Sequence, residues 1–137
     1  MTVLFIDKDP QRIDSYVKAV TQSGFQASTV SSGVEGIEKA KLEHPDIIVL
    51  GQMLPNMSGN DVLRVLKQTP ETSKIPVIMF SYFSGENFVK EAMELGAADY
   101  FQKDQVAPED FVKKLQAVIT MYLKGGTGWQ DEDASLV

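Results

Sequence analysis

Three short stretches of the chain are entirely apolar and are bounded by polar, glycine or proline residues. They cover residues 3–6, 47–50 and 77–80. Uninterrupted apolar runs of this length are typical of central parallel strands, because helices cover both faces of such strands. Two weaker runs, 25–30 and 98–101, contain polar residues and are predicted to form the edges of the same sheet.

Segments with apolar residues at helical spacing alternate with these strands. Each predicted helix begins at a residue or pair that favours helix starts: Asp9 with Pro10, Ser32 with Glu35, Ser58 with Asp61, Gly85, and Pro108. Gly24 and Gly96 are predicted to end the first and fourth helices, since glycine accepts the backbone conformation that closes a helix.

This alternation defines the predicted fold class. Five successive strand–helix units predict an α/β protein with right-handed crossovers and helices on both faces of one parallel sheet. Polar edges around an apolar centre fit a flavodoxin-like, three-layer α/β/α sandwich with a five-stranded parallel sheet of order 2-1-3-4-5. Ligands in such sheets bind beyond the carboxyl ends of strands one and three, which here are residues 7–9 and 51–55.

Composition narrows the class of protein. The chain has 137 residues, a formal net charge of −6 and no cysteine. No apolar run approaches the roughly 20 residues of a membrane span, and the first residues show no signal-peptide pattern. We therefore expect a cytoplasmic location, no membrane contact and, because basic clusters are absent, no direct nucleic-acid binding by this domain.

The final stretch differs from the rest. We predict one folded domain over residues 1–123 and a flexible Gly/acidic tail or linker over 124–137. Trp129 is the only large aromatic residue of that stretch, and docking of its ring on the domain or on a partner stays an open alternative.

Four stretches, in this order, resemble the receiver domains of two-component response regulators, the CheY-like proteins. They are "VLFIDKDP", "PDIIVLGQMLPNMSG", "IPVIMFS" and "GAADYFQK". The resemblance implies a carboxylate that accepts a phosphoryl group from a histidine kinase, and an acidic pair that holds Mg²⁺. It also implies a hydroxyl and a lysine that bind the phosphoryl oxygens.

Some of these positions match the family pattern and others depart from it. Asp7 matches the first acid of the pair, Ser81 the hydroxyl, Lys103 the lysine, and Tyr100 the switch aromatic of receivers. Four positions depart from the pattern. Gly51 stands at the position of the acceptor, and Lys8 at that of the second acid. Tyr82 replaces the small residue that usually follows the hydroxyl, and Asp104 replaces the usual proline after the lysine.

Gly51 and Lys8 remove the implied chemistry in two independent ways. Glycine has no side chain, so an acyl phosphate cannot form at residue 51. A lysine in place of an acid opposes a dication by roughly 2 to 4 kcal/mol for each nearby unit charge, so Mg²⁺ binding is predicted to be lost or very weak. We predict no catalytic residue and no metal ligand in this degenerate pocket of Asp7, Lys8, Gly51, Ser81, Tyr82 and Lys103.

The role of the two lysines is a hypothesis with alternatives. The Lys8 ammonium is expected to replace the metal, near Asp7 and the loop carbonyls around Gly51; alternatively, Lys8 is a solvated loop residue. Lys103 either pairs with Asp7 or binds an anion. Tyr82 is expected to narrow or cover the pocket.

The leading functional hypothesis is a phosphorylation-independent pseudo-receiver that acts as a protein-interaction module and not as an enzyme. The resemblance implies binding to a protein partner, to the chain's own effector domain, or to a second copy. The expected surface is formed by the fourth helix, the fifth strand and the fifth helix, and its residues are Lys90, Glu91, Glu94, Tyr100, Lys113 and Lys114.

The sequence supports three other functions less strongly. The degenerate pocket, with a formal charge of +1 over Asp7, Lys8 and Lys103, is a candidate site for an anion or a small phosphorylated metabolite. A flavodoxin-like electron carrier is disfavoured because no Ser/Thr-rich phosphate loop follows the first strand. Phosphorylation at a displaced acid, Asp7 or Asp9, would require a different line of attack.

Overall fold

The computed structural model describes residues 1–83 and 85–125. Within them, seven strands occur: β1 (Thr2–Ile6), β2 (Gln26–Val30), β3 (Ile47–Leu50), β4 (Met53–Leu54), β5 (Met57–Ser58), β6 (Val77–Ser81) and β7 (Asp99–Gln102). The same residues form five α-helices: α1 (Asp14–Gln22), α2 (Gly33–Glu43), α3 (Gly59–Gln68), α4 (Glu86–Glu94) and α5 (Pro108–Gly125). Short 3₁₀ turns cover Pro10–Ile13 and Lys103–Gln105.

Five of these strands form one parallel sheet. Its order is β2-β1-β3-β6-β7, and every neighbouring pair is parallel. Counted along the five long strands, this is the predicted order 2-1-3-4-5. The two polar strands lie at the edges, as their sequences indicate, so the flavodoxin-like prediction is confirmed.

The core consists of two apolar layers, one on each face of the sheet. Alternate residues of β1 show the division: Val3 and Phe5 pack with α1 and α5, whereas Leu4 and Ile6 pack with the helices on the opposite face. This alternation follows from the two-residue period of a strand. It explains why the central strands are apolar at every position.

The helix starts agree with the predictions except at the first helix. Ser58 and Asp61 form a reciprocal capping box at α3, and the Ser32 hydroxyl accepts a hydrogen bond from the backbone N–H of Glu35 at α2. Asp9 makes no side-chain cap: a 3₁₀ turn begins at Pro10, and α1 starts only at Asp14. The Asp9 carboxylate instead pairs with Arg12, with Asp9 Oδ2 3.4 Å from Arg12 Nε.

The loop after β3 contains a feature that the sequence prediction lacks. Strands β4 and β5 form a small antiparallel hairpin. At its turn Asn56 takes a φ of 63°, a conformation that asparagine tolerates better than most residues. The hairpin returns the chain to the start of α3 beside the carboxyl end of β3.

The predicted tail lies almost wholly outside the described residues, which end at Gly125. This holds for Trp129 as well, so the tail and the domain boundary stay predictions. Among the described helices, none is long and apolar enough to cross a membrane.

Candidate functional site

A cleft of about 240 Å³ opens at the carboxyl edge of the sheet, where β1, β3, β6 and β7 end. Its walls come from the loops that follow these strands, as expected for a sheet of this order. The lining residues are Asp7, Lys8, Asp9, Arg12, Gly51, Gln52, Met53, Ser81, Tyr82, Phe83 and Lys103. All six residues of the degenerate pocket therefore line a single cleft.

The floor of the cleft contains a buried ion pair. Lys103 Nζ lies 2.5 Å from Asp7 Oδ2, and both side chains are less than one-tenth exposed. The other carboxylate oxygen, Asp7 Oδ1, accepts a hydrogen bond from the backbone N–H of Asp9 at 2.9 Å. Both oxygens of Asp7 are thus occupied by groups of the protein itself.

Tyr16 of α1 holds the segment that carries Lys103. Its hydroxyl lies 2.9 Å from the backbone carbonyl oxygen of Lys103 and 2.5 Å from that of Val106, and it shares its single proton between them. Burial raises the pKa of Tyr16, and the nearby Tyr82 phenol and Asp104 carboxylate raise it further. The phenol therefore stays protonated at neutral pH and keeps its donor.

Tyr82 lies over the ion pair, in the position expected of a residue that narrows the pocket. Lys103 Nζ is 5.2 Å from the centre of the Tyr82 ring, and the Arg12 guanidinium carbon is 5.7 Å from it. Contacts of this length between a cation and an aromatic face are attractive. The ring is nevertheless half exposed, so it forms part of the outer surface.

Gly51 follows β3 directly and leaves little room for a side chain. A Cβ atom at this position would lie 3.2 Å from Asp7 Oδ2 and 3.4 Å from the Ile6 carbonyl oxygen. The Asp7 carboxylate therefore occupies the space next to the end of β3. Any larger residue at position 51 requires the ion pair to shift.

The structure differs from the sequence-based hypothesis on Lys8. The cation beside Asp7 is Lys103, whereas Lys8 is exposed at the rim of the cleft. Within residues 1–83 and 85–125 its ammonium has no ion pair or hydrogen bond. Lys8 lies in a bend between the end of β1 and the 3₁₀ turn at Pro10, and this bend leaves its side chain at the rim and not at the floor.

The donor set does not fit Mg²⁺. A dication of this kind needs oxygen ligands, usually with one or two carboxylates whose charge is not already neutralised. Asp7 already contacts Lys103 and the Asp9 N–H, and Gly51 supplies no side chain. In the described part of the chain, no three acidic, His or Cys side chains come together in a way that would hold a metal.

Sequence reasoning missed a buried amide pair beside the cleft. Gln52 Oε1 accepts from the Asn60 backbone N–H at 2.8 Å, and Gln52 Nε2 donates to Asn60 Oδ1 at 2.9 Å. Both side chains are almost fully buried. A glutamine directly after the end of a central strand is the signal available in the sequence, but its partner depends on the fold of the hairpin.

This pair continues into a network that reaches α4 and β7. Asn60 Nδ2 donates to Glu91 Oε1 at 2.7 Å, and Gln52 Nε2 approaches the Tyr100 hydroxyl at 3.4 Å. The Tyr100 hydroxyl itself donates to the backbone carbonyl of Phe83. The loop after β3 is thereby connected to the surface expected to bind partners.

That surface is only partly available. Lys90, Glu94, Lys113 and Lys114 are exposed, as the prediction requires. Glu91 is also exposed, but its carboxylate is engaged with Asn60, and Tyr100 is half-buried with its hydroxyl turned towards Phe83.

Comparison with known proteins now identifies the family. The sequence profile of the response regulator receiver domain matches residues 3–116. The chain belongs to this family. It is therefore a receiver domain of two-component signalling.

The chain is similar to two transcriptional regulatory proteins of Bacillus subtilis. It is 36% identical over 112 residues to the Bacillus subtilis transcriptional regulatory protein YclJ, covering 82% of this chain and 48% of that protein. It is 30% identical over 117 residues to the B. subtilis alkaline phosphatase synthesis regulator PhoP, covering 85% and 48%. The chain thus spans about half the length of these curated relatives.

A solved structure supports the fold assignment. A CheY-like receiver domain from Methanospirillum hungatei superposes with a TM-score of 0.83 at 21% identity, covering 90% of this chain and 96% of that one. The similarity concerns the fold alone.

The buried amide pair yields a testable prediction. We expect Gln52→Ala to lower the free energy of unfolding by about 2 to 3 kcal/mol, because it leaves the Asn60 backbone N–H and Oδ1 atom without their partners in a buried site. Chemical denaturation measures this. Gln116→Ala, an exposed change on α5, is the matched control and should alter stability by less than about 0.5 kcal/mol. Equal effects of the two variants would contradict the network.

Proposed function

We propose that this receiver domain works without phosphoryl transfer, as a non-enzymatic protein-interaction module in two-component signalling. The observation that carries the proposal is the Asp7–Lys103 ion pair next to Gly51. A receiver that accepts a phosphoryl group needs a carboxylate at the end of the third strand and free oxygens for Mg²⁺. Here the first is replaced by glycine and the remaining acid is neutralised by lysine.

The same ion pair supports a fixed conformation. In this proposal Lys103 supplies the positive charge that a metal would otherwise bring to Asp7, so the floor of the cleft needs no ligand. The Gln52–Asn60 pair and the Tyr100 hydroxyl bond hold the neighbouring loops in one arrangement. The domain then offers a constant surface instead of a phosphorylation-dependent one.

The partner is proposed to be a protein or an effector domain of the same chain, by analogy with the regulators it matches. Exposed Lys90, Glu94, Lys113 and Lys114 supply mixed charge for such a contact. A homodimer through the same face is a further possibility that sedimentation measurements would test.

One observation favours a second candidate function, the binding of a small anion. The cleft is lined by three cations and two carboxylates, and the Lys8 ammonium is unpaired within the described residues. The ion pair at the floor weakens this candidate, because Asp7 already neutralises Lys103.

A magnesium titration tests the proposal. We expect the melting temperature of the protein to stay constant up to millimolar Mg²⁺, because a ligand that binds only the folded state would raise it. The double variant Gly51→Asp, Lys8→Asp restores two carboxylates beside Asp7 and is expected to melt higher with Mg²⁺. A Mg²⁺-dependent rise in the natural protein would contradict the proposal. A rise of the melting temperature with inorganic phosphate would instead favour the second candidate function, the binding of a small anion.

A further inference from the structure

An aromatic surface surrounds the mouth of the cleft. Tyr82 is 51% exposed, Phe83 42%, Phe88 39% and Met53 54%. Tyr82, Phe83 and Met53 line the cleft together. The rings of Phe83 and Phe88 pack edge to face, with their centroids 4.8 Å apart. We call the three aromatic residues together with Met53 the aromatic rim.

The aromatic rim is unusual for an exposed surface. Single exposed apolar residues are common, but adjoining aromatic residues with large exposed fractions mark sites of interaction. Large aromatic side chains also dominate the binding energy of protein interfaces. The four residues therefore require an explanation beyond solvent exposure.

The backbone that carries the rim is held in place. The Phe83 N–H donates to Ser81 Oγ at 3.0 Å, and the Phe83 carbonyl accepts the Tyr100 hydroxyl. The Tyr82 ring contacts the buried Lys103 ammonium on one side and the exposed Arg12 guanidinium on another. A surface ordered before binding loses less conformational entropy when a partner arrives.

The charges around the rim indicate the chemistry of that partner. Asp7 is paired with Lys103, and Asp9 lies 3.4 Å from Arg12. Of the charged groups that line the cleft, Lys8 is the one left unpaired by the described residues. A partner binds here more tightly if it places a carboxylate near Lys8 and covers the rim with an apolar side chain.

We propose that the mouth of the cleft, with its aromatic rim and Lys8, binds a protein segment in which acidic residues flank an apolar anchor. This inference rests on the proposed function, since a domain that need not admit a phosphodonor can keep this opening covered by a partner. It adds a second surface, distinct from Lys90, Glu94, Lys113 and Lys114. The overall charge of −6 disfavours a second copy of this acidic chain as the occupant.

A methionine methyl experiment tests the inference. The probe is a short capped peptide with one tryptophan flanked by glutamates, added to the 137-residue chain with isotope-labelled methionine methyl groups. We expect the Met53 signal to shift. The signals of Met93 and Met121, which are 45% and 50% exposed elsewhere on the domain, should not shift.

Two variants test the charge and the rim separately. Lys8→Glu should weaken binding of the acidic peptide at least about fivefold, because one attraction becomes a repulsion. Lys113→Glu, an exposed change on α5, is the matched control and should have little effect. Tyr82→Ser should also weaken binding, while far-ultraviolet circular dichroism confirms that the variant is folded.

Three outcomes would overturn the inference. They are an unchanged Met53 signal, equal binding of a lysine-flanked version of the peptide, and a shift of Met93 or Met121 alone. None of these depends on phosphorylation or Mg²⁺. A failure here is therefore distinguishable from a failure of the proposed function, which the magnesium titration reports.

Discussion

Lys103→Met is expected to lower the free energy of unfolding by about 3 kcal/mol or more, since removal of one member of a buried ion pair leaves an uncompensated charge. Asp7 is buried, and Lys103 Nζ lies 2.5 Å from its Oδ2 atom. Methionine keeps most of the volume of the side chain, so the loss reports the charge and not a cavity. Urea denaturation at neutral pH measures the difference.

An exposed ion pair provides the control. Lys18 Nζ lies 3.0 Å from Asp14 Oδ2 on the surface of α1, and both side chains are more than half exposed. Lys18→Met should therefore lower the free energy of unfolding by less than about 0.5 kcal/mol. Adding Asp7→Asn to Lys103→Met should recover part of the loss, because it removes the unpaired carboxylate. Similar losses for Lys18→Met and Lys103→Met would contradict the assigned role of the buried pair.

The architecture was predictable because its signals are local. Apolar runs specify central strands, capping residues such as Ser58 specify helix starts, and polar runs specify edges. The β4–β5 hairpin was not predictable in the same way, because strands of two residues are too short to show a period. The start of α1 was misplaced because Pro10 is equally compatible with a 3₁₀ turn.

The position of the cleft was also predictable, whereas its internal contacts were not. Asp7, Gly51 and Ser81 all follow or end parallel strands, and the carboxyl ends of such strands meet at one edge of the sheet. The hypothesis that placed the Lys8 ammonium beside Asp7 was wrong, because charge counting ignores the direction of side chains. Pairing of Lys103 with Asp7 was one of two alternatives that the sequence left open. The partnership of Gln52 with Asn60 depends on the loop between them, for which no local rule exists.

The second large effect concerns the chemistry of position 51. We expect Gly51→Asp combined with Lys8→Asp to gain an acyl phosphate from acetyl phosphate in the presence of Mg²⁺. The two changes supply a nucleophile and a second oxygen ligand for the metal. Gly51→Asp alone should react far more slowly, because its carboxylate lies against Asp7 without a dication to neutralise the charge.

A further variant shows whether the nucleophile itself is responsible. Gly51→Asn with Lys8→Asp has nearly the same shape and one acid fewer, and it should stay unmodified. If it were modified as readily as the Asp variant, the acyl phosphate would lie elsewhere in the chain, and the role given to position 51 would be wrong.

Intact-mass spectrometry of the natural protein after treatment with acetyl phosphate, with and without Mg²⁺, is the most direct test of function without phosphoryl transfer. The predicted result is a single unmodified mass under both conditions, because Gly51 has no nucleophile and Asp7 is bound to Lys103. A Mg²⁺-dependent gain of one phosphoryl group, at Asp7, Asp9 or any other acid, would contradict it.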